Sequence, residues 1–289
     1  MKPNSNVCRA WVAGALALLM TACGGGGNED APAGDTASPA ASPQPPAAGA
    51  WAPALADTWQ WQLHGTVNTS YAVAVYDVDL FDTPQATIDA LKAAGRRVVC
   101  YFSAGSSEDW RSDFSRFNAA DMGNPLDQWP GERWLDTRSA NVRTIMQARL
   151  DLAVTKRCDG VEPDNMDGYA NQPGFALTAD TQLDYNRFIA NQARARGLAV
   201  GLKNDVDQLA ALEPYFDFAV NEQCHQHGEC SGYSVFTTRA KPVFNAEYAS
   251  NWVTDATARA QLCASARAAG LRTLVLAEAL DDSVRFSCD

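Results

Sequence analysis

From residue 59 onward the chain alternates short apolar runs with longer amphipathic stretches. The apolar runs fall at 59–63, 72–76, 97–102, 160–162, 199–202, 216–220, 242–245 and 273–277. Most are only a few residues long and rich in Val, Phe, Tyr and Leu, which fits strands buried on both faces of a parallel sheet. The amphipathic stretches include 84–94, which opens on a proline, and 139–156, with Val142, Ile145, Met146, Leu150 and Ala153 at helical spacing. They continue with 180–196, carrying Leu183, Phe188 and Ile189, and with 255–269. Gly95, Gly197 and Gly270 follow three of these four, as a helix stop signal should. Eight strands alternating with helices over about 230 residues predict an α/β fold, a (β/α)₈ TIM barrel in a single domain at 56–289. A doubly wound open sheet is disfavoured, because no G-x-G-x-x-G frame follows the first strand.

The strands end alike. The second runs into Asp77 and Asp79, the third into Tyr101 and Ser103, and the fourth into Glu162, Asp164 and Asn165. The fifth ends in Lys203, Asn204 and Asp205, and the sixth in Asn221, Glu222 and Gln223. The seventh ends in Asn245, Glu247 and Tyr248, and the eighth in Glu278. Barrel enzymes carry their active sites at that end. On the fourth strand, alternation turns Glu162 and Asp164 to the same side. Asp and Glu pairs across a sugar bond are the working parts of most glycosidases. Trp110, Trp129, Trp134, Tyr169 and Tyr248 are candidates for stacking on sugars, or else ordinary packing residues.

Other chemistries find less support. No G-x-S-x-G elbow is present. Cys224 and Cys230 bracket two of the three histidines, but in an exported chain that spacing fits a small disulfide loop better than zinc. No metal and no cofactor are called for. Lys203 fits a partner that offsets the acids better than a Schiff-base lysine. For Glu162 and Asp205 an alternative is a structural salt bridge with Lys203 or an arginine.

The chain has 289 residues, 46% hydrophobic and 20% charged, with 23 basic and 34 acidic side chains and a formal charge of −11. This makes nucleic acid a poor partner and a cationic one reasonable. Residues 1–22 read as a lipoprotein signal peptide: Lys2 and Arg9, an apolar run too short to span a bilayer, then Met20-Thr21-Ala22-Cys23. Cleavage would remove Lys2 and Arg9 and take the charge from −11 to −13. Cys23 is the expected lipidation site, and residues 23–55, rich in Gly, Ala and Pro, read as a disordered tether. The expectation is an exported bacterial lipoprotein at the outer membrane or cell surface, a monomer whose only membrane contact is the lipid. Six cysteines remain, and an even number in an exported chain points to disulfides, with fifteen possible pairings. Cys224–Cys230 is the first choice, and Cys100–Cys158 with Cys263–Cys288 would complete a set.

Several segments together resemble the endo-α-1,4-polygalactosaminidase family of glycoside hydrolases, family 114. They are Trp59-Gln60-Trp61-Gln62-Leu63, Tyr76-Asp77-Val78-Asp79-Leu80-Phe81-Asp82 and Cys100-Tyr101-Phe102-Ser103-Ala104-Gly105. Asp159-Gly160-Val161-Glu162-Pro163-Asp164-Asn165-Met166-Asp167-Gly168-Tyr169, Gly201-Leu202-Lys203-Asn204-Asp205 and Val220-Asn221-Glu222-Gln223-Cys224 follow. The resemblance runs from about residue 59 to the C-terminus. It implies a (β/α)₈ barrel that cleaves α-1,4-linked galactosamine polymers. It also implies a catalytic pair, an Asp on the fourth strand and a Glu on the sixth, which match Asp164 and Glu222 by position. A cationic galactosamine polysaccharide agrees with the acidic mouth. The expected mechanism is retaining, Asp164 as nucleophile and Glu222 as acid and base. Asp77, Tyr101, Ser103, Glu162, Asn165, Asp167, Tyr169, Lys203, Asn204, Asn221, Glu247 and Tyr248 are assigned to substrate contacts or to tuning the pair. The rival readings are a non-catalytic exopolysaccharide-binding surface lipoprotein and a barrel glycosidase for another polymer.

Overall fold

The computed structural model describes residues 41–289. The expected signal peptide and the expected lipidation site Cys23 lie outside the described residues. Among the described residues twelve strands occur in chain order: β1 (Trp59–Gln62), β2 (Val75–Asp79), β3 (Arg97–Ser103), β4 (Ser106–Glu108), β5 (Met122–Pro125), β6 (Glu132–Leu135), β7 (Gly160–Asp164), β8 (Ala199–Lys203), β9 (Phe218–Glu222), β10 (Val243–Glu247), β11 (Arg272–Leu276) and β12 (Arg285–Ser287). The large sheet runs β1-β2-β3-β7-β8-β9-β10-β11-β12. Its first eight strands pair in parallel, and β12 is antiparallel to β11. Arg285 on β12 reaches across to the Trp59 carbonyl and the Gln60 side chain, which draws the two edges together.

The curl of the sheet is visible in what its inner face buries. Trp59 and Trp61 of β1 pack in one cluster with Val75, Val99, Ala199, Phe218, Val220, Phe244, Ala246, Leu274 and Leu276. β2, β3 and β8 each give it one inward residue, and β1, β9, β10 and β11 each give two at alternate positions, as alternation requires. The intervening residues, such as Val78, Cys100, Val161, Leu202 and Ala219, pack outward against the helices. The barrel is therefore a filled core with helices outside. Gly201 has no side chain because an added Cβ would lie 2.4 Å from the Phe218 ring.

The helices follow the sequence pattern. Helix α1 (Gln85–Ala93) ends before Gly95, and α3 (Ala179–Ala195) before Gly197. Helix Ala256–Ala269 stops at Gly270, and all three glycines have positive φ. Helix α2 (Ala140–Thr155) has no glycine stop; Arg157 takes the left-handed turn instead. Disulfides join Cys100 to Cys158, Cys224 to Cys230 and Cys263 to Cys288.

Two expectations need correction. The second strand runs from Val75 through Asp79 rather than over 72–76. Two acids continue it because both are buried, and Asp79 has a partner in Arg111. The part of the 23–55 segment that is described, 41–55, packs on the barrel. Gln44 accepts from Arg194 and donates to Asn191, Tyr215 donates to the Ala41 carbonyl, and Trp51 lies 6.3 Å from the Phe218 ring. Apolar composition misses such a strap because backbone groups hold most of it.

Candidate active site

Strands β7, β8 and β9 end alike at the barrel mouth. Asp164, Lys203 and Glu222 are their last residues, and each is followed by a residue with positive φ: Asn165, Asn204 and Gln223. The left-handed turn ends the strand there and leaves the preceding side chain at the rim. Gly105 then packs against Asn165 so closely that a Cβ would meet its carbonyl at 1.7 Å. This approach lets the Ala104 and Gly105 amides donate to the Asp164 carbonyl at 2.9 and 3.1 Å. Helices clamp the same corner from outside. Arg149 of α2 donates to the Ser103 carbonyl at 2.7 Å, and Tyr185 of α3 to that of Ala104 at 2.6 Å.

Lys203 is the hub. Its Nζ lies 3.1 Å from Asp164 Oδ1, 3.1 Å from Glu222 Oε2 and 3.3 Å from Glu162 Oε1, and it stands 4.8 Å from the Trp61 ring centre. Burial opposes its charge, but the three carboxylates outweigh that and hold its pKa well above the usual lysine value. Tyr101 donates to Asp164 Oδ2 at 3.0 Å, and Tyr248 to Glu222 Oε1 at 2.6 Å. Burial, reinforced by the neighbouring carboxylates, pushes both phenols well up, so they remain donors. Asn204 fixes Glu222 twice: its Oδ1 accepts from the Glu222 amide at 2.9 Å, and its Nδ2 donates to Oε2 at 3.3 Å.

Beneath the mouth, Glu162 and Asp77 face each other inside the barrel. Glu162 is fully buried and Asp77 nearly so. Burial pushes Asp77 up to about 7, and burial with Asp77 alongside pushes Glu162 well above the carboxylate range. No other side chain donates to either Asp77 oxygen, and Glu162 has only Lys203, 3.3 Å from its Oε1; a proton shared between the two acids answers the remaining oxygens. The expected Glu162–Lys203 ion pair is present; the one considered for Asp205 is not, because Asp205 accepts from Asn186 instead.

The mouth opens into a cleft of about 900 Å³. Of the expected contact residues, Tyr101, Asn165, Asp167, Lys203, Asn204 and Tyr248 line it with Asp164 and Glu222. Burial and Asp164 push Asp167 up to about 6. Tyr169 lines a neighbouring hollow. Ser103 is buried and supports the site from behind, bonded to Ser106 and to Asn165. Asp77 and Glu162 act from below.

Asn221 and Glu247 are corrections. Both are fully buried and neither lines the cleft. Asn221 bonds Tyr233, Asn245 and the Cys224 amide, and Glu247 accepts from the His225 amide. They alternate with Glu222 and Tyr248, so they face the helix side of the sheet.

One wall was not foreseen. Strands β4, β6 and β5 form a small antiparallel sheet beside the mouth. Arg111, next to it, pairs with Asp79 at 2.6 Å, Glu108 at 2.8 Å and Asp82 at 3.0 Å. Glu132 on β6 accepts from Ser106 at 2.6 Å and is pushed up to about 7 by burial. Trp110 and Trp129 stand half exposed on this wall, and both line the cleft with Trp134. Only the isolated acids and tryptophans of this stretch could have signalled it.

Comparison with known proteins agrees with the geometry. No curated protein sequence matches the chain. The structure of Aspergillus fumigatus Ega3, in complex with galactosamine, is 44% identical, covers 80% of this chain and 95% of its own, and superposes with a TM-score of 0.76. The glycoside hydrolase domain of PelA from Pseudomonas aeruginosa shares the fold at 14% identity, with 80% and 98% coverage and a TM-score of 0.63. The family model of glycoside hydrolase family GH114 matches residues 40–289, and the chain belongs to that family of glycoside hydrolases.

Proposed function

We propose that the protein is an endo-acting hydrolase of α-1,4-linked galactosamine polymers, with Asp164 and Glu222 as the catalytic pair of a retaining mechanism. The observation that carries this is the hub at Lys203. One Nζ contacts both acids, so their nearer oxygens are no further apart than two 3.1 Å contacts laid end to end. Retaining pairs stand about 5–5.5 Å apart and inverting pairs about 6.5–9.5 Å, and two acids held on one ammonium group favour the closer arrangement. Asp164 attacks the anomeric carbon while Glu222 gives its proton to the departing oxygen. Glu222 then takes a proton from the water that displaces Asp164.

The substrate class rests on charge and on likeness. Asp82, Asp127, Asp167, Glu132 and Glu278 line the cleft with the pair, against Lys203 and Arg111, which are already partnered. A protonated sugar amine suits such a surface. The 44% identical Ega3 was solved with galactosamine. The test is digestion of de-acetylated α-1,4-galactosamine polymer, with new reducing ends counted and the first-formed anomer read by NMR. New ends with α-configured product are expected. Binding without new ends would overturn the reading in favour of a polymer-binding protein, and a β-configured product would overturn retention.

A further inference from the structure

Beside the cleft lies a second hollow of about 400 Å³ that touches Glu222 but not Asp164. Carboxylates at 167, 205, 207, 222 and 229 line it, and no lysine or arginine does. The main cleft, by contrast, contains Lys203 and Arg111. Within the hollow Asp205 is the unexpected group. It is 3% exposed; its Oδ2 accepts from Asn186 at 2.9 Å, while its Oδ1 is buried with no partner. Burial, with Asp167 and Asp207 adding to it, pushes the carboxyl up to about 7. Lys203, two residues earlier, is engaged by Glu162, Asp164 and Glu222. Nothing cationic in the lining answers these acids, apart from what His227 can offer.

The position of the hollow gives it a direction. Glu222 is the residue that protonates the departing oxygen, so a surface beyond Glu222 and away from Asp164 meets the departing half of the polymer. We propose that this hollow binds the protonated amine of a galactosamine residue in that departing half, with Asp205, Asp207 and Glu229 as its acceptors. The proposal rests on the galactosaminidase reading above. An ammonium supplies three donors and the missing positive charge, whereas an N-acetyl group supplies one donor and no charge.

The test compares two oligomers of defined length, one with free amines and one N-acetylated only on the residues of the departing half. For the wild-type enzyme the free-amine oligomer should have the higher kcat/KM. In an Asp207→Asn, Glu229→Gln double variant that preference should shrink roughly three- to tenfold, mainly through KM. Both side chains are at least partly exposed, so the variant should fold, and a melting curve checks it. A preference kept in full by the variant would overturn the proposal. So would an equal loss in an Asp151→Asn, Asp184→Asn control, whose charges lie on outer helices and are 66% and 59% exposed. If the wild-type enzyme cuts neither oligomer, the activity reading itself fails, and that outcome is distinct from a lost preference.

Discussion

Arg111 and Lys203 each gather three carboxylates on one cleft, and they differ in what those carboxylates have left over. Around Arg111, Asp79 and Glu108 are 5% and 3% exposed, and the planar guanidinium takes them through several nitrogens at once. That geometry fixes a wall. Around Lys203, Asp164 and Glu222 are 19% and 28% exposed and open to the cleft. A lysine is a compact point charge, so it can hold acids from β7 and β9 together without occupying both oxygens of either. Tyrosines rather than cations complete the contacts of Asp164 and Glu222. A cluster of acids around a cation is thus a structural strut or a reactive pair according to how open its carboxylates are to the cleft.

The contrast can be broken most directly at the proposed catalytic pair. Asp164→Asn or Glu222→Gln should lower polymer hydrolysis roughly 10²–10⁴-fold while leaving the melting temperature near that of wild type; a reducing-end assay with parallel calorimetry reads both. Next come matched removals of the two cations. Arg111→Met leaves Asp79 buried without its counter-charge and Glu108 with only Arg149, 3.6 Å away, and should destabilise the fold by about 3–5 kcal/mol in denaturant titration. Lys203→Met should act on turnover instead, lowering kcat roughly a hundredfold by letting the pair drift from its spacing. If the two variants swapped signatures, the contrast would be wrong.

A smaller effect separates the layers beneath Lys203. Asp77 carries a folded-state pKa raised to about 7, above its ordinary value, so the folded protein binds more protons than the unfolded chain between those values. The contribution of Asp77 to stability should therefore fall as pH rises from about 4 to about 7 and change no further above it. Asp77→Asn should flatten that slope by roughly a kcal/mol or more, which chemical denaturation at pH 4.5 and 7.5 would measure. The smallest effect is at Asp82, whose side chain is 72% exposed: Asp82→Asn should cost under about 1 kcal/mol, although it touches the same Arg111.

Much of this was legible in the chain, and the misses have physical reasons. The eight parallel strands and the inward pairing of Glu162 with Asp164 followed from short apolar runs and from alternation. Alternation would also have removed Asn221 and Glu247 from the site, since neighbours on a strand cannot both face the mouth. The β4–β6–β5 wall was not legible, because strands of three or four residues inside a long connection carry no readable period. Arg111 was missed with it, since its partners Asp79 and Glu108 lie 32 and 3 residues away. The hub at Lys203 was half legible: a lysine among acids invites pairing, but its three partners sit on two neighbouring strands, and which acids it takes depends on the barrel's register.

The strap at 41–55 determines how the molecule can be held. Trp51 lies against Phe218 and beneath Gly160, the first residues of β9 and β7, whereas Asp164 and Glu222 are the last residues of those strands. The chain thus joins the barrel at its floor, opposite the cleft. A bead or sensor chip coupled through that end would present the mouth outward, where a long polymer can thread past without meeting the support. Cutting the chain at residue 56 for the same purpose would strip Trp51 from Phe218 and leave the floor greasy.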